Sequence, residues 1–168
     1  YARPGRQCRH NLTYWRFGDY LGIGAGAHGK LTVEGRVLRT EKARSPRAYL
    51  AAGGRAGSRR EVPQAELPFE FMLNALRLTA GFRPAEFERA TGLPVEEIRP
   101  TLAALEARGL IGEVAENLKP TALGIRFLND LMAEFLPAGP NQPAAPKRLP
   151  GSGSIAHLPS ERPATAAP

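Results

Sequence analysis

Apolar residues recur along this chain at two spacings, and each spacing predicts a different element. Between residues 67 and 81, Phe69, Met72, Leu73, Leu76 and Ala80 fall on one face of a helix that Gly81 ends. A second short helix follows Arg83, presents Phe87 and Ala90, and stops at the TGLP beginning with Thr91. A third over residues 94–108 presents Ile98, Leu102 and Leu105, with Gly109 as its C′ residue. Pro100 removes a backbone donor, so this helix kinks there or starts near Arg99. LIGEV and LKPT read as two short strands around Glu116–Asn117. TALGIRFLNDLMAEFL then aligns Leu123, Phe127, Leu128, Leu131 and Phe135 on one stripe of a closing helix. Three helices, a strand pair and a helix is the order of a winged-helix-like domain, here spanning residues 65–137.

The earlier part reads differently. KLTVEGRVLRT alternates apolar and polar residues about Glu34–Gly35, which predicts a β-hairpin. DYLGIGAGA before it reads as a buried strand end running into a glycine loop. SPRAYLAAG predicts a short helix with Ser45 as N-cap and Pro46 at its first position. GGRAGSRREVPQ, from Gly53 to Gln64, has no apolar periodicity and reads as a loop or linker. Beyond Pro137 large apolar residues almost vanish and proline repeats, so residues 138–168 are expected to be a disordered tail. The fold class is α+β.

Composition narrows the setting. The 168 residues are 42% hydrophobic, enough for a core, while 16 Pro and 18 Gly place part of the chain outside it. No charged segment leading into an apolar run opens the sequence, and no apolar run approaches a membrane span. A single cysteine excludes an internal disulfide and a multi-cysteine metal site, and a reducing, cytoplasmic setting fits best. The net charge of +7 is unevenly spread: residues 1–64 carry +9, residues 65–137 carry −4 and residues 138–168 carry +2. An acidic winged-helix-like block argues against a nucleic-acid-binding regulator, because its recognition helix at residues 94–108 would face phosphates with a net negative charge.

The chemistry concentrates in RHNLTYWRFGDYLGIGAGAHGK, from Arg9 to Lys30. Gly24, Gly26 and Gly29 fit G-x-G-x-x-G. A dinucleotide site also needs a helix after the glycines, and LTVEGRVLRT is strand-like. Walker and kinase loops fail too, since Leu31 follows Gly29–Lys30 and no kinase motif follows. The small residues therefore admit a close neighbour, which is either another backbone segment or the flat face of a ligand. His10 stands beside Asn11 and close to Tyr14 and Trp15. Imidazole is a common haem ligand and aromatic rings cover porphyrin faces. The alternative is an ordinary hydrogen-bonded loop histidine with Trp15 in the core. Arg3, Arg6, Arg9 and Arg16 are either propionate partners or solvated charges. Cys8 lacks the companions a zinc site requires.

Over residues 1 to about 137 the chain resembles the oxygen-independent coproporphyrinogen III oxidase family of radical S-adenosylmethionine proteins. YARPGRQCRHNLTYWRFGDYLGIGAGAHG is similar to the family's late barrel segment, and PFEFMLNALRL and FLNDLMAEFL to its C-terminal domain. His10-Asn11-Leu12-Thr13-Tyr14-Trp15 resembles the H-N-x-x-Y-W pattern of the family's haem chaperone branch. The resemblance implies a partial (β/α) barrel of which residues 1–64 supply the last strand and hairpin. It implies a four-iron (4Fe-4S) cluster on C-x-x-x-C-x-x-C with S-adenosylmethionine bound there, the adenosine lying beside Gly24, Gly26, Ala27 and His28. It also implies haem bound through His10 as iron ligand, with Tyr14 and Trp15 nearby, and haem-requiring membrane enzymes as clients. This chain has no C-x-x-x-C-x-x-C, so it reads as a C-terminal fragment without radical chemistry of its own. A fragment of the oxidase itself is the alternative, which H-N-x-x-Y-W disfavours.

Overall fold

The computed structural model describes residues 2–137 except positions 4, 56 and 113–116. Its first helix, α1, spans Arg9–Trp15. The sequence reading gave no helix here. It ends in a Schellman turn: Phe17 N–H donates to the Tyr14 carbonyl and Gly18 N–H to the Thr13 carbonyl. Phe17 occupies the left-handed position at φ 59°, where glycine is usual. The strain of about 1–2 kcal/mol is offset because its ring is buried against Phe71, 5.5 Å between centroids.

A three-stranded antiparallel sheet follows, in the order β1 (His28–Val33), β2 (Arg36–Glu41), β3 (Ser58–Glu61). Val33 pairs with Arg36, so the turn has two central residues, Glu34 and Gly35, both at positive φ. That is the type I′ turn whose twist suits a hairpin. Between β2 and β3 lies α2 (Pro46–Ala51), whose N-cap Ser45 hydroxyl accepts from the Ala48 N–H. The strand β3 corrects the loop reading of residues 53–64. Its side chains are all exposed, so no apolar alternation marks it, and it is held by backbone pairing to β2.

DYLGIGAGA also departs from its expectation of a buried strand end. Tyr20 forms a single bridge, with Lys30, and Leu21 and Ile23 are 71% and 86% exposed. The inward position on β1 belongs to Lys30, which is 1% exposed. Its ammonium lies 2.8 Å from Asp19 Oδ1 and 4.1 Å from the centre of the Phe17 ring. Burial pushes the Lys30 amine below its ordinary value, against the pull of Asp19. Burial also acts to raise the Asp19 carboxyl. Hydrogen bonds from Lys30 and from the Thr32 N–H and hydroxyl outweigh it and hold Asp19 below the usual carboxylate range.

The helical core is built on Phe71. It lies in α3 (Leu67–Ala75) and meets Phe82 at 5.1 Å and Phe87 of α4 (Pro84–Thr91) at 5.4 Å, both edge-on. α4 ends at Gly92 in the left-handed conformation, as TGLP requires. The third helix, α5, begins at Arg99 and runs to Ala107, with Pro100 in its first turn. Ile98, Leu102 and Leu105 are buried, and Gly109 adopts φ 67°. After α5 the backbone pairs at single points, Ile111 with Pro120 and Phe82 with Leu118. Two isolated bridges thus stand where LIGEV and LKPT predict strands; residues 113–116 between them and the whole tail lie outside the described residues.

The closing helix is two helices, α6 (Ala122–Arg126) and α7 (Leu128–Ala133), broken at Phe127. At Phe127 the backbone leaves the helical region, at φ −111° and ψ 34°. Gly124 lies on the chain at Leu110, where a Cβ would sit 1.9 Å from the Leu110 carbonyl oxygen. Seating the glycine face of α6 turns Leu123 and Phe127 outward, at 43% and 47% exposure, against the expected apolar stripe. Leu131 and Phe135 are buried as expected, and Met132 joins them.

Two stability predictions follow. Gly124→Ala should destabilise the fold by about 3 kcal/mol, the upper end of overpacking costs, read as a lowered urea midpoint. An unchanged midpoint would refute the close approach. The depressed Asp19 carboxyl contributes stability that is complete above the ordinary carboxylate range and lost as pH falls through its folded value. Asp19→Asn should therefore flatten the acid limb of the stability profile and cost about 1–2 kcal/mol at neutral pH, reduced from a fully buried pair because Asp19 is partly exposed. Adding Lys30→Met should recover part of that loss. A double variant less stable than Asp19→Asn alone would count against the pair.

Candidate functional site

The helix α1 divides the H-N-x-x-Y-W residues between two faces. His10 and Tyr14, one turn apart, share one face, with ring centroids 4.4 Å apart and the rings edge to face. Tyr14 in turn meets the Tyr20 ring at 4.1 Å. His10 is exposed and Tyr14 half-buried. Trp15 faces away from this ladder, packs against the core, and lines a different depression with Phe17 and Phe71.

The ladder runs into a polar cavity of about 530 Å³ between the sheet and α3. Tyr20, His28, Arg39, Arg60, Glu70 and Asn74 line it. Arg39 Nη1 donates to the Tyr20 hydroxyl at 2.7 Å, and the same guanidinium is paired with Glu70. Burial would lower the Arg39 value, yet the hydrogen bonds and charge of Glu70 raise it overall. The cavity wall is thus a fixed Tyr–Arg–Glu relay joining the sheet to the helices.

The glycine run has two structural jobs. Gly22 and Gly29 allow the chain to fold back on β1: a Cβ on Gly22 would meet the His28 carbonyl oxygen at 2.4 Å, and one on Gly29 the Thr40 hydroxyl at 2.5 Å. Gly24 and Gly26 have φ 106° and 71° and turn the loop. Gly24 N–H faces the Tyr49 hydroxyl at 3.3 Å, and a Cβ there would find open space. Ala27 accepts from Lys42 N–H and leads into β1 at His28. A strand, not a helix N-terminus, follows the glycines, so no dinucleotide phosphate is received here. Of the residues singled out in the sequence, His10 and Tyr14 form one face and His28 joins Tyr20 in the cavity. Tyr20, Arg39 and Glu70 were missed, since their pairing spans 19 and 31 positions.

The residues do not fit a resident iron–sulfur cluster. The chain has one cysteine, and among the described residues no group of three or more His, Cys, Asp or Glu side chains could hold a metal. No described helix is long and apolar enough to cross a membrane.

Residues 62–127 match the model of the HemN C-terminal domain. The haem chaperone HemW of Escherichia coli (strain K12) is 48% identical over 137 residues, 81% of this chain. That of Haemophilus influenzae (strain ATCC 51907 / DSM 11121 / KW20 / Rd) is 42% identical over the same length. The chain spans 36% of the length of each of these relatives. The solved structure of the Escherichia coli coproporphyrinogen III oxidase HemN, a radical SAM enzyme, aligns with 70% of this chain and 28% of its own, at 14% identity and a TM-score of 0.49. By these matches residues 62–127 form a HemN C-terminal domain, and over 81% of its length the chain is homologous to part of the haem chaperone HemW.

Proposed function

We propose that this chain forms the haem-facing C-terminal portion of a haem chaperone. The observation that carries the reading is the His10 imidazole, exposed on α1 and steadied by the Tyr14 ring at 4.4 Å. An exposed imidazole can ligate iron and can also release it, which suits a carrier more than a catalyst. Arg3, Arg6, Arg9 and Arg16 surround α1 in sequence, and a guanidinium fork suits a haem propionate. The haem is cargo, and haem-requiring membrane enzymes are the proposed clients.

In this reading residues 1–64 are the last strand and hairpin of a partial (β/α) barrel, and residues 65–137 a winged-helix-like domain that closes its open side. Gly24, Gly26, Ala27 and His28 would border the adenosine of S-adenosylmethionine in the whole protein, where other segments would supply the cluster cysteines. The open space over Gly24 supports that assignment. A nucleic-acid role is disfavoured by the −4 charge of residues 65–137.

The test is a titration of the chain with ferric haem, followed by the Soret band. His10→Ala should weaken binding at least several-fold while leaving the far-ultraviolet spectrum intact. Equal affinity of the two proteins would remove His10 from the haem site.

A further inference from the structure

The other face of α1 borders a second cavity, of about 450 Å³, within the range of about 300–1,000 Å³ usual for small-molecule sites. Its walls are chiefly apolar: the Trp15 indole, Leu76, Leu78, Ile125 and Leu128, with Pro120. Two cations, Arg6 and Arg77, join the lining, and none of its described residues is acidic. Neither arginine forms an ion pair among the described residues. Arg77 instead donates its Nε–H to the Leu73 carbonyl at 3.0 Å, which leaves its terminal nitrogens available. Ile125 is 45% exposed although it lies beside this cavity.

An apolar trough lined by two guanidinium groups complements a flat, largely apolar molecule bearing carboxylates. We propose that this groove binds the tetrapyrrole face itself, with the ring against Trp15, Ile125 and Leu128 and its propionates at Arg6 and Arg77. The ligand class rests on the haem-chaperone reading above. The site is distinct from the His10 ladder, because His10 is not among the residues that line the groove. Its contacts are with the macrocycle and its carboxylates, so it needs no iron. The H-N-x-x-Y-W residues then belong to separate sites on the two faces of α1: His10 on one, and Asn11 and Trp15 at the border of this groove on the other.

Metal-free protoporphyrin IX separates the two roles. Titrated into the purified chain and followed by quenching of the single tryptophan, it should bind with equal affinity to the wild type and to His10→Ala. Ile125→Asp and Arg77→Glu should each weaken it about tenfold or more. Both positions are exposed, and matching thermal unfolding curves would show that the variants fold. Failure of protoporphyrin to bind the wild type, or undiminished binding by both groove variants, would overturn the groove assignment. Loss of protoporphyrin binding in His10→Ala would overturn the separation of the sites. The reading of the chain as a haem carrier fails on a different result, the absence of ferric haem binding by the wild type.

Discussion

Phe17 is the residue on which the arrangement of this chain depends. Its backbone takes the left-handed conformation that ends α1, its ring packs at a tilt against Phe71 in the phenylalanine cluster, and its face lies under the Lys30 ammonium. Glycine would end the helix at lower conformational cost, but it would supply neither ring nor cation contact. Three elements are thereby fixed by one side chain: the exit direction of α1, the docking of α3, and the inward position on β1. The Lys30 ammonium could not remain in that position without compensation. Asp19 and Thr32 satisfy it, and no buried side-chain polar atom among the described residues lacks a partner.

The same anchoring explains why the aromatic motif faces two ways. Once the Schellman turn sets the path after Trp15, the indole packs on the core and His10 and Tyr14 lie on the adjacent face. Tyr20, brought back by its pairing with Lys30, extends that face toward the cavity. Arg39 and Glu70 then tie the sheet to α3 at the cavity wall. A helix of seven residues would be marginal alone, and here it is held by tertiary contact at its end.

Much of the helical half was legible in the sequence because its signals are local. Pro84 and Pro100 sit at helix starts, Gly92 and Gly109 take left-handed turns, and Phe87, Leu102 and Leu105 are buried at helical spacing. The sheet half was harder to read. Alternation in KLTVEGRVLRT locates the hairpin but misassigns its faces, since Lys30 is buried while Val33 is 40% exposed. A lysine is stable there only because Asp19, eleven residues earlier, returns to it. β3 carries no apolar pattern, and α1 is too short and aromatic for its period to stand out. The break at Phe127 was hidden because the apolar stripe is continuous in sequence, while the close approach of Gly124 to Leu110, which seats α6, is not local. Of the candidate site, His10 and His28 were visible as residue types. The Tyr20–Arg39–Glu70 chain of contacts that walls the cavity beside His28 was not.

Charge asymmetry connects these features. The basic first part and acidic second part meet through Arg39–Glu70 and Arg60–Glu66, so the excess of each sign is partly neutralised where the sheet approaches α3. Arginines near α1 are not drawn into those pairs. Arg6 borders the apolar groove, where Arg77 from just beyond α3 joins it, while Glu86 and Glu134 are engaged by Arg83 and Arg108. Positive charge thus remains beside apolar walls on the Trp15 side of α1. The polar cavity on the Tyr20 side balances Arg39 and Arg60 against Glu41 and Glu70. A dianionic, flat and mainly apolar molecule is therefore favoured on the first side. On the second side the charges of the cavity wall are paired with one another, beside the face that carries His10. One seven-residue helix separates two surfaces of different chemistry, and its order of residues, His10 then Asn11, Tyr14 then Trp15, distributes one aromatic motif between them.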